Sequence, residues 1–255
     1  MGKNKGRRMS KSAAVYLPIA VLLILLFVIL GISVFLKIID IEVTGATKYP
    51  VEDIILSSGI AIGDNILRVN RDKASQMIEA SMPYISEVEI EFVLPDKARI
   101  SVSETSAFAM IGVPDGFLVI DSAGRILEIV DNAPTGLIEV RGFSPVDIKV
   151  GETLKAASGD DTRLRYIREV LAAVMAAGIQ DGVSYLDVIS MGNVYLEYMG
   201  LYRVNLNGSG GAINKLAKLP EAIEDVKRDS SFDATARYRI DIPDSSGGWI
   251  WTPEW

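Results

Sequence analysis

The sequence predicts an α+β protein: one N-terminal transmembrane helix, then a β-α-α-β-β domain, then a mixed β-rich domain with two helices. Three observations carry that prediction. Residues 13–36 (AAVYLPIAVLLILLFVILGISVFL) contain no charged side chain and are bounded by Lys11 and Lys37. From Ile38 onward the apolar period falls to two, the spacing of strands with one buried face. Between those strands, apolar stripes return at helical spacing.

At about 1.5 Å of rise per residue the uncharged stretch reaches roughly 36 Å, enough to cross a hydrocarbon core of about 30 Å with some tilt. Lipid offers no partner to backbone N–H and C=O groups, so a single span is helical. Pro18 is tolerable near one end of it, where few intrahelical bonds are lost. Residues 1–12 carry Lys3, Lys5, Arg7, Arg8 and Lys11 and no acid. Positive flanks stay inside, so the reading is a single-pass type II cell-membrane protein with a cytoplasmic basic tail (1–12) and its bulk outside. A cleaved signal peptide is the competing reading. Its apolar region is normally about 7–15 residues, shorter than this one, although Gly31-Ile32-Ser33 offers a weak cleavage site.

The formal charge is −7, and removing the five-charge tail leaves −12 over residues 13–255. An acidic outer part argues against nucleic acid and against docking on anionic lipid. The mean hydropathy of +0.27 reflects the span and does not indicate several membrane crossings. There is no cysteine and no histidine, so disulfides and thiolate metal sites are impossible.

The first outer domain is expected over residues 37–106. Ile39, Ile41 and Val43 alternate with Asp40, Glu42 and Thr44 as a strand buried on one face. Pro50 suits the first turn of a helix with Val51, Ile54 and Ile55 on one side, stopped by Ser58-Gly59. Gly63-Asp64-Asn65 marks a turn, and Asn70 caps a second helix whose stripe is Ala74, Met77 and Ile78, closed by Pro83. Val88, Ile90 and Phe92 then oppose Glu87, Glu89 and Glu91. After the turn at Leu94-Pro95-Asp96, Ile100 and Val102 alternate with polar residues, so the two runs read as a hairpin with an acidic solvent face.

These residues resemble the POTRA domain of the FtsQ/DivIB cell-division family. The matching features are Val43-Thr44-Gly45 after the first strand, Gly59 and Gly63-x-Asn65 between the helices, Pro83-x-Ile85, Pro95 in the hairpin, and Ile100-x-Val102-x-Glu104. Placement straight after a basic tail and one span also fits that family's layout. The chain departs at Phe92, Val93 and Thr105, where the family often has basic residues. Any role hung on those arginines does not carry over.

The second domain is expected over 107–244. Residues 108–113 form a short apolar run. The strands 116–120 and 125–129 flank Asp121-Ser122-Ala123-Gly124, a hairpin composition, and 137–140 is another strand. Asp160-Asp161 opens a helix with the stripe Leu164, Ile167, Val170, Leu171 and Val174, ended by Gly178. Strands follow at 185–189, 194–198 and 202–206. Next comes one helix over 212–226 with Ile213, Leu216, Leu219 and Ile223 on one side, and then a last strand over 236–242. The Asp121-x-x-Gly124 hairpin and Gly208 followed by Lys215-Leu216 resemble the β domain of the same family. Residues 245–255 read as a flexible aromatic tail with Trp249, Trp251 and Trp255. These tryptophans suit a partner interface, packing onto the second domain, or the membrane interface.

Little in the chain points to catalysis. The GSGG loop at 208–211 invites a phosphate cradle, but Ile213 stands where the third glycine of G-x-G-x-x-G belongs, which leaves a plain turn. A Ser-His-Asp triad, a Cys-His dyad and the usual zinc sites need residues that are absent. The Glu87, Glu89, Glu91 row is a solvated strand face, and Asp64 and Asp160-Asp161 serve a turn and a helix start. The expectation is no catalytic residue, no metal and no cofactor.

The resemblance implies a non-enzymatic bitopic scaffold at the division septum. Its partners would be FtsB/DivIC-like and FtsL-like coiled-coil proteins, and through them the septal wall synthesis machinery. A POTRA-type polypeptide-binding component of an export system and a wall-modifying enzyme are the alternatives. The expected physical route is strand addition to an open sheet edge. Residues 236–242 form the last clear strand, and terminal strands commonly lie at edges. Arg237, Arg239 and Asp241 share one face that an acidic partner would complement, and Tyr238 points to the core or its rim. The candidate partner-binding set is Arg237, Tyr238, Arg239, Ile240, Asp241, Ile242, Trp249 and Trp251.

A topology test follows from the basic tail and the uncharged stretch. A reporter active only outside the cytoplasm is expected to work when fused after Trp255, and one active only inside at the N-terminus. A mature chain beginning near Val34 would refute the anchor.

Overall fold

The computed structural model describes residues 11–207, 210–242 and 248–254, and within its first helix the side chains of residues 16–27 and 31. The first ten residues of the basic tail, positions 208–209 of the GSGG loop, residues 243–247 and Trp255 lie outside the described residues. Helix α1 runs Lys11–Phe35 with Pro18 inside it. Among the described residues no helix is long and apolar enough to cross a membrane. The span expected over 13–36 falls in part on side chains outside them. The chain divides into two units, Met1–Ile78 with Glu87–Ser103, and Glu79–Ser86 with Glu104–Trp255.

In the first unit the order is β1 (Asp40–Thr44), α2 (Val51–Ser58), α3 (Arg71–Ser81), β2 (Ile85–Val93) and β3 (Lys97–Glu104). The sheet order is β1-β3-β2, with β1 parallel to β3 and Val43 registered on Ile100. Two helices lie between β1 and the later strands, which is what a parallel pairing requires. Local chemistry sets the ends. Gly59 takes a left-handed φ of 68° to close α2, and the Asn70 side chain accepts the Lys73 N–H at 3.0 Å to open α3. Gly45 has a φ of 85°, and a Cβ there would stand 2.0 Å from the Val102 carbonyl oxygen, so only glycine fits.

The core of this unit holds Ile38, Ile54, Ala74, Ile78, Ala98, Ile100 and Val102, all buried. Glu87, Glu89 and Glu91 are exposed, as the alternation requires. Three apolar assignments are corrected. Ile39 is 63% exposed while Ile38 is fully buried, because the strand starts only at Asp40. Ile38 is held before the strand by bonds exchanged with the turn, its N–H to the Asp64 carbonyl and its carbonyl from the Gly63 N–H. Val51 and Met77 are also exposed, since the short helices turn only a narrow stripe to the three-stranded sheet. Pro50 sits at the cap of α2, one position before its expected place.

The second unit is a nine-stranded sheet with helices. Its strands are β4 (Ala109–Val113), β5 (Gly116–Ile120), β6 (Ile126–Val130), β7 (Ile138–Arg141), β8 (Val183–Ser190), β9 (Asn193–Tyr198), β10 (Tyr202–Asn205), β11 (Arg237–Asp241) and β12 (Ile250–Glu254). They lie in the order β12-β11-β10-β9-β8-β7-β4-β5-β6. Helices α4 (Asp161–Ala177), α5 (Ala212–Ala217) and α6 (Leu219–Arg228) share one buried cluster with the inward strand positions. The expected α4 stripe is intact: Leu164, Ile167, Val170, Leu171 and Val174 are all buried, and Gly178 caps the helix at a φ of 64°. At the β5–β6 hairpin Asp121 accepts the N–H groups of Ala123 and Arg125 at 2.9 and 2.8 Å.

Two further expectations are corrected. The single helix over 212–226 is two, broken at Lys218. Pro220 has no N–H for an i−4 carbonyl and its ring would crowd that carbonyl, so it sits instead in the first turn of a new helix. Ile213 is 56% exposed as a result, whereas Leu216, Leu219 and Ile223 are buried. The flexible tail over 245–255 instead contains β12, whose Ile250–Glu254 pair antiparallel with β11.

Register in the first unit is testable by substitution. Ile90→Ala and Ile100→Ala are expected to cost about 2–5 kcal/mol each by denaturant unfolding. Glu89→Ala is expected to stay within about 0.5 kcal/mol. Equal losses at positions 89 and 90 would mean the faces are exchanged.

Candidate functional site

Strands β10 and β11 carry the same local pattern, Tyr-Arg-apolar-polar, and the fold lays them in register. Tyr202 stands beside Tyr238, Arg203 beside Arg239, Val204 beside Ile240 and Asn205 beside Asp241. The alternation sends the tyrosines and aliphatics inward. Tyr238, Ile240 and Ile242 are 2%, 0% and 1% exposed, so none of these expected contact residues presents its side chain to a partner. The Tyr238 ring lies 6.3 Å from Tyr202, 5.5 Å from Phe232 and 6.0 Å from Trp251. Its hydroxyl accepts the Asp233 N–H at 2.6 Å, which satisfies the one polar atom brought inside.

The opposite face is polar and partly open. The Arg203 guanidinium lies 4.1 Å from the Tyr195 ring centre and that of Arg239 5.7 Å from it. Arg239 donates through Nε and Nη2 to Asp241 at 3.1 and 2.8 Å, and Asn205 donates to the same oxygen at 2.8 Å. The Asp241 hydrogen bond holds Arg239 protonated even more firmly than a free guanidinium. Arg203 reaches Glu254 of β12 at 3.7 Å, while its Nε is buried with no hydrogen-bond partner. Farther along the sheet the Arg141 guanidinium lies 4.2 Å from the Tyr185 ring centre and pairs with Glu139.

The expected edge is in a different place. β11 is flanked by β10 on one side and β12 on the other, so its backbone is already paired. The outermost strand at this end is β12, with Ile250 and Thr252 exposed and Trp249 and Trp251 half-buried against the core. Pro253 lies within it, a residue tolerated where one side of a strand has no ladder to complete. The other end of the sheet is less open: β6 begins by exchanging bonds with the 151–154 loop, Ile126 N–H to Glu152 and Gly151 N–H to Ile126. Sequence reasoning placed Arg237, Arg239 and Asp241 on the outer face, as found, and missed Tyr195, Arg203 and β12. The repeated Tyr-Arg pattern was the available signal for Arg203.

The glycine loop has a physical explanation as well. Gly210 and Gly211 have φ of 93° and 72°, and the Glu169 carboxylate of α4 accepts the Ala212 N–H at 2.9 Å. The position an external phosphate would take at that helix start is held by an internal anion. Nearby, buried Lys215 donates to the Leu206 carbonyl at 2.6 Å, and Tyr166 donates to the same oxygen at 3.1 Å. Among the described residues no group of three or more His, Cys, Asp or Glu is placed to hold a metal ion.

Comparison with known proteins adds to this geometry. Residues 36–105 match the family model of the FtsQ-type POTRA domain. Over 243 residues the chain is 30% identical to the cell division protein DivIB of Clostridium botulinum, covering 94% of this chain and 90% of that one. It is 33% identical over 124 residues to the cell division protein FtsQ of Corynebacterium glutamicum, covering 49% of this chain and 55% of that protein. DivIB of Clostridium tetani is 27% identical over 168 residues, covering 66% and 62%.

Position 238 separates the two faces experimentally. Tyr238→Ala is expected to cost about 3–5 kcal/mol through the cavity it leaves. Arg239→Ala, on the half-exposed face, is expected to cost about 1 kcal/mol or less. Calorimetric or denaturant unfolding reads both, and the reverse order would place Tyr238 outside.

Proposed function

Because this chain belongs to the FtsQ/DivIB family of cell-division proteins, we propose that it is a non-catalytic, membrane-anchored scaffold of the bacterial division machinery. Residues 13–36 are its anchor, the N-terminus is cytoplasmic, and both units work outside the membrane at the septum. The uncharged stretch and the exposed apolar side chains of α1, among them Leu22 at 68% and Phe27 at 82%, support the anchor. The partners are coiled-coil division proteins of the FtsB/DivIC and FtsL types, coupled to septal wall synthesis.

The observation that carries this reading is the outermost strand β12. An extended partner segment pairs with its free edge through main-chain hydrogen bonds, the sheet grows by one strand, and the exposed Ile250 and Thr252 side chains meet the partner beside that edge. Arg203, Arg237 and Arg239 on the outer face complement an acidic partner. Trp249 anchors the approach to the edge. Tyr238, Ile240 and Ile242 act through the fold by holding β11 in place beneath β12.

Photoreactive residues introduced singly at positions 250 and 252 in living cells are expected to cross-link to a partner of the FtsB/DivIC type, and one at position 89 is not. Cross-links confined to the first unit would move the site away from β12.

A further inference from the structure

In the first unit two recesses lie side by side, with Gly59 and Ile60 lining both. The first, of about 670 Å³, is bordered by Lys37, Arg68 and Lys73. Asp64, the one carboxylate among its described lining residues, accepts the Ala61 N–H at 2.9 Å. Among the described residues the side-chain cationic groups of these three residues have no ion pair and no hydrogen bond. The second recess, of about 610 Å³, is an apolar groove walled by Ile41, Ile55, Leu56 and Ile62. Two groove residues are exposed, Leu56 at 80% and Ile62 at 72%, and so are two apolar residues next in the chain to the lining, Leu67 (68%) before Arg68 and Ile39 (63%) before Asp40. The acids on the groove are accounted for, Asp40 by Lys97 at 2.8 Å and Glu52 by the first turn of α2, whose dipole favours a negative charge.

Unpaired cations beside protruding apolar groups match the layers of an anionic bilayer surface, phosphate above acyl chain. Covalent geometry sets the distance. Lys37 is two residues past the end of α1 at Phe35, so the basic recess begins where the apolar helix stops. We propose that the first unit docks on anionic phospholipid, with headgroup phosphate at Lys37, Arg68 and Lys73 and with Leu56, Ile62 and Leu67 entering the headgroup boundary. This inference rests on the anchored reading above. It also reverses the expectation that an acidic outer part avoids such lipid, because the charge that decides docking is the local one at the surface, within about 10 Å of it at ordinary salt. Docking fixes the height and orientation of this unit at the membrane.

The chain has no cysteine, so single labels are clean. Full-length protein carrying Leu67→Cys or Glu89→Cys, labelled with an environment-sensitive fluorophore, is reconstituted into vesicles of phosphatidylcholine with or without phosphatidylglycerol. The expected result is flotation with both vesicles and a blue-shifted, lipid-quenchable emission only at position 67 and only with phosphatidylglycerol. Lys37→Glu combined with Arg68→Glu and Lys73→Glu is expected to abolish that shift. Raised salt is expected to do the same in the unmodified background, which keeps the test valid if the triple variant misfolds. Flotation with aqueous emission at position 67 overturns the docking and leaves the anchor standing, whereas failure to float overturns both. An equal shift in neutral vesicles overturns the role of the cations. A shift produced by dissolved glycerol phosphate alone overturns the bilayer as the source of the phosphate.

Discussion

The second unit depends on the parallel pairing of β10 with β11. Parallel neighbours cannot be joined by a tight turn, so the chain must leave the sheet between them, and α5 and α6 are that crossover. The crossover determines what each side chain of the last strands can do. It brings Tyr238 against Tyr202 in the core, lines Arg203 up with Arg239 on the outer face, and leaves room beyond β11 for β12 to return antiparallel. Pro220 fits this plan, because it breaks the connecting helix where the chain must turn and starts the second segment cleanly.

From that pairing follows a division of labour across one strand. The inward residues of β11 are structural, stacked with aromatic neighbours and satisfied in their polar atoms. Its outward residues form a connected set with Asn205, Tyr195 and Arg203, in which aromatic faces and carboxylates hold guanidinium groups in fixed positions. Fixed donors lose less entropy when a partner arrives than mobile ones do. In the proposed docking, backbone pairing at the edge would supply attraction that is indifferent to side chain, and the arginine face would supply selectivity for an acidic partner.

The first unit is organised around a different constraint, the short connection from α1. Ile38 is fully buried and tied by two backbone bonds to the Gly63-Asp64 turn, so the chain is gripped within three residues of the helix end. That grip places Lys37 on the rim of the basic recess and turns Ile39 outward. A strand continuing directly from Ile38 would have buried Ile39 and exposed Ile38 instead.

Local signals in the sequence determined most of the elements. Periods of two and 3.6 located the strands and helices, Asn70, Gly59 and Gly178 set helix ends, and the spacing of features from Val43 to Glu104 carried the family resemblance. Half of the candidate surface was also legible, since alternation alone put Arg237, Arg239 and Asp241 on one face. Tertiary structure decided which strand is outermost. Ile250–Glu254 is too short and too polar-interrupted to announce itself, and it is a strand only because β11 offers a ladder to pair with. Strand order and register come from contacts between residues far apart in the chain, whose energies no local window contains. For that reason residues 236–242 read as an edge in the sequence and lie inside the sheet in the fold.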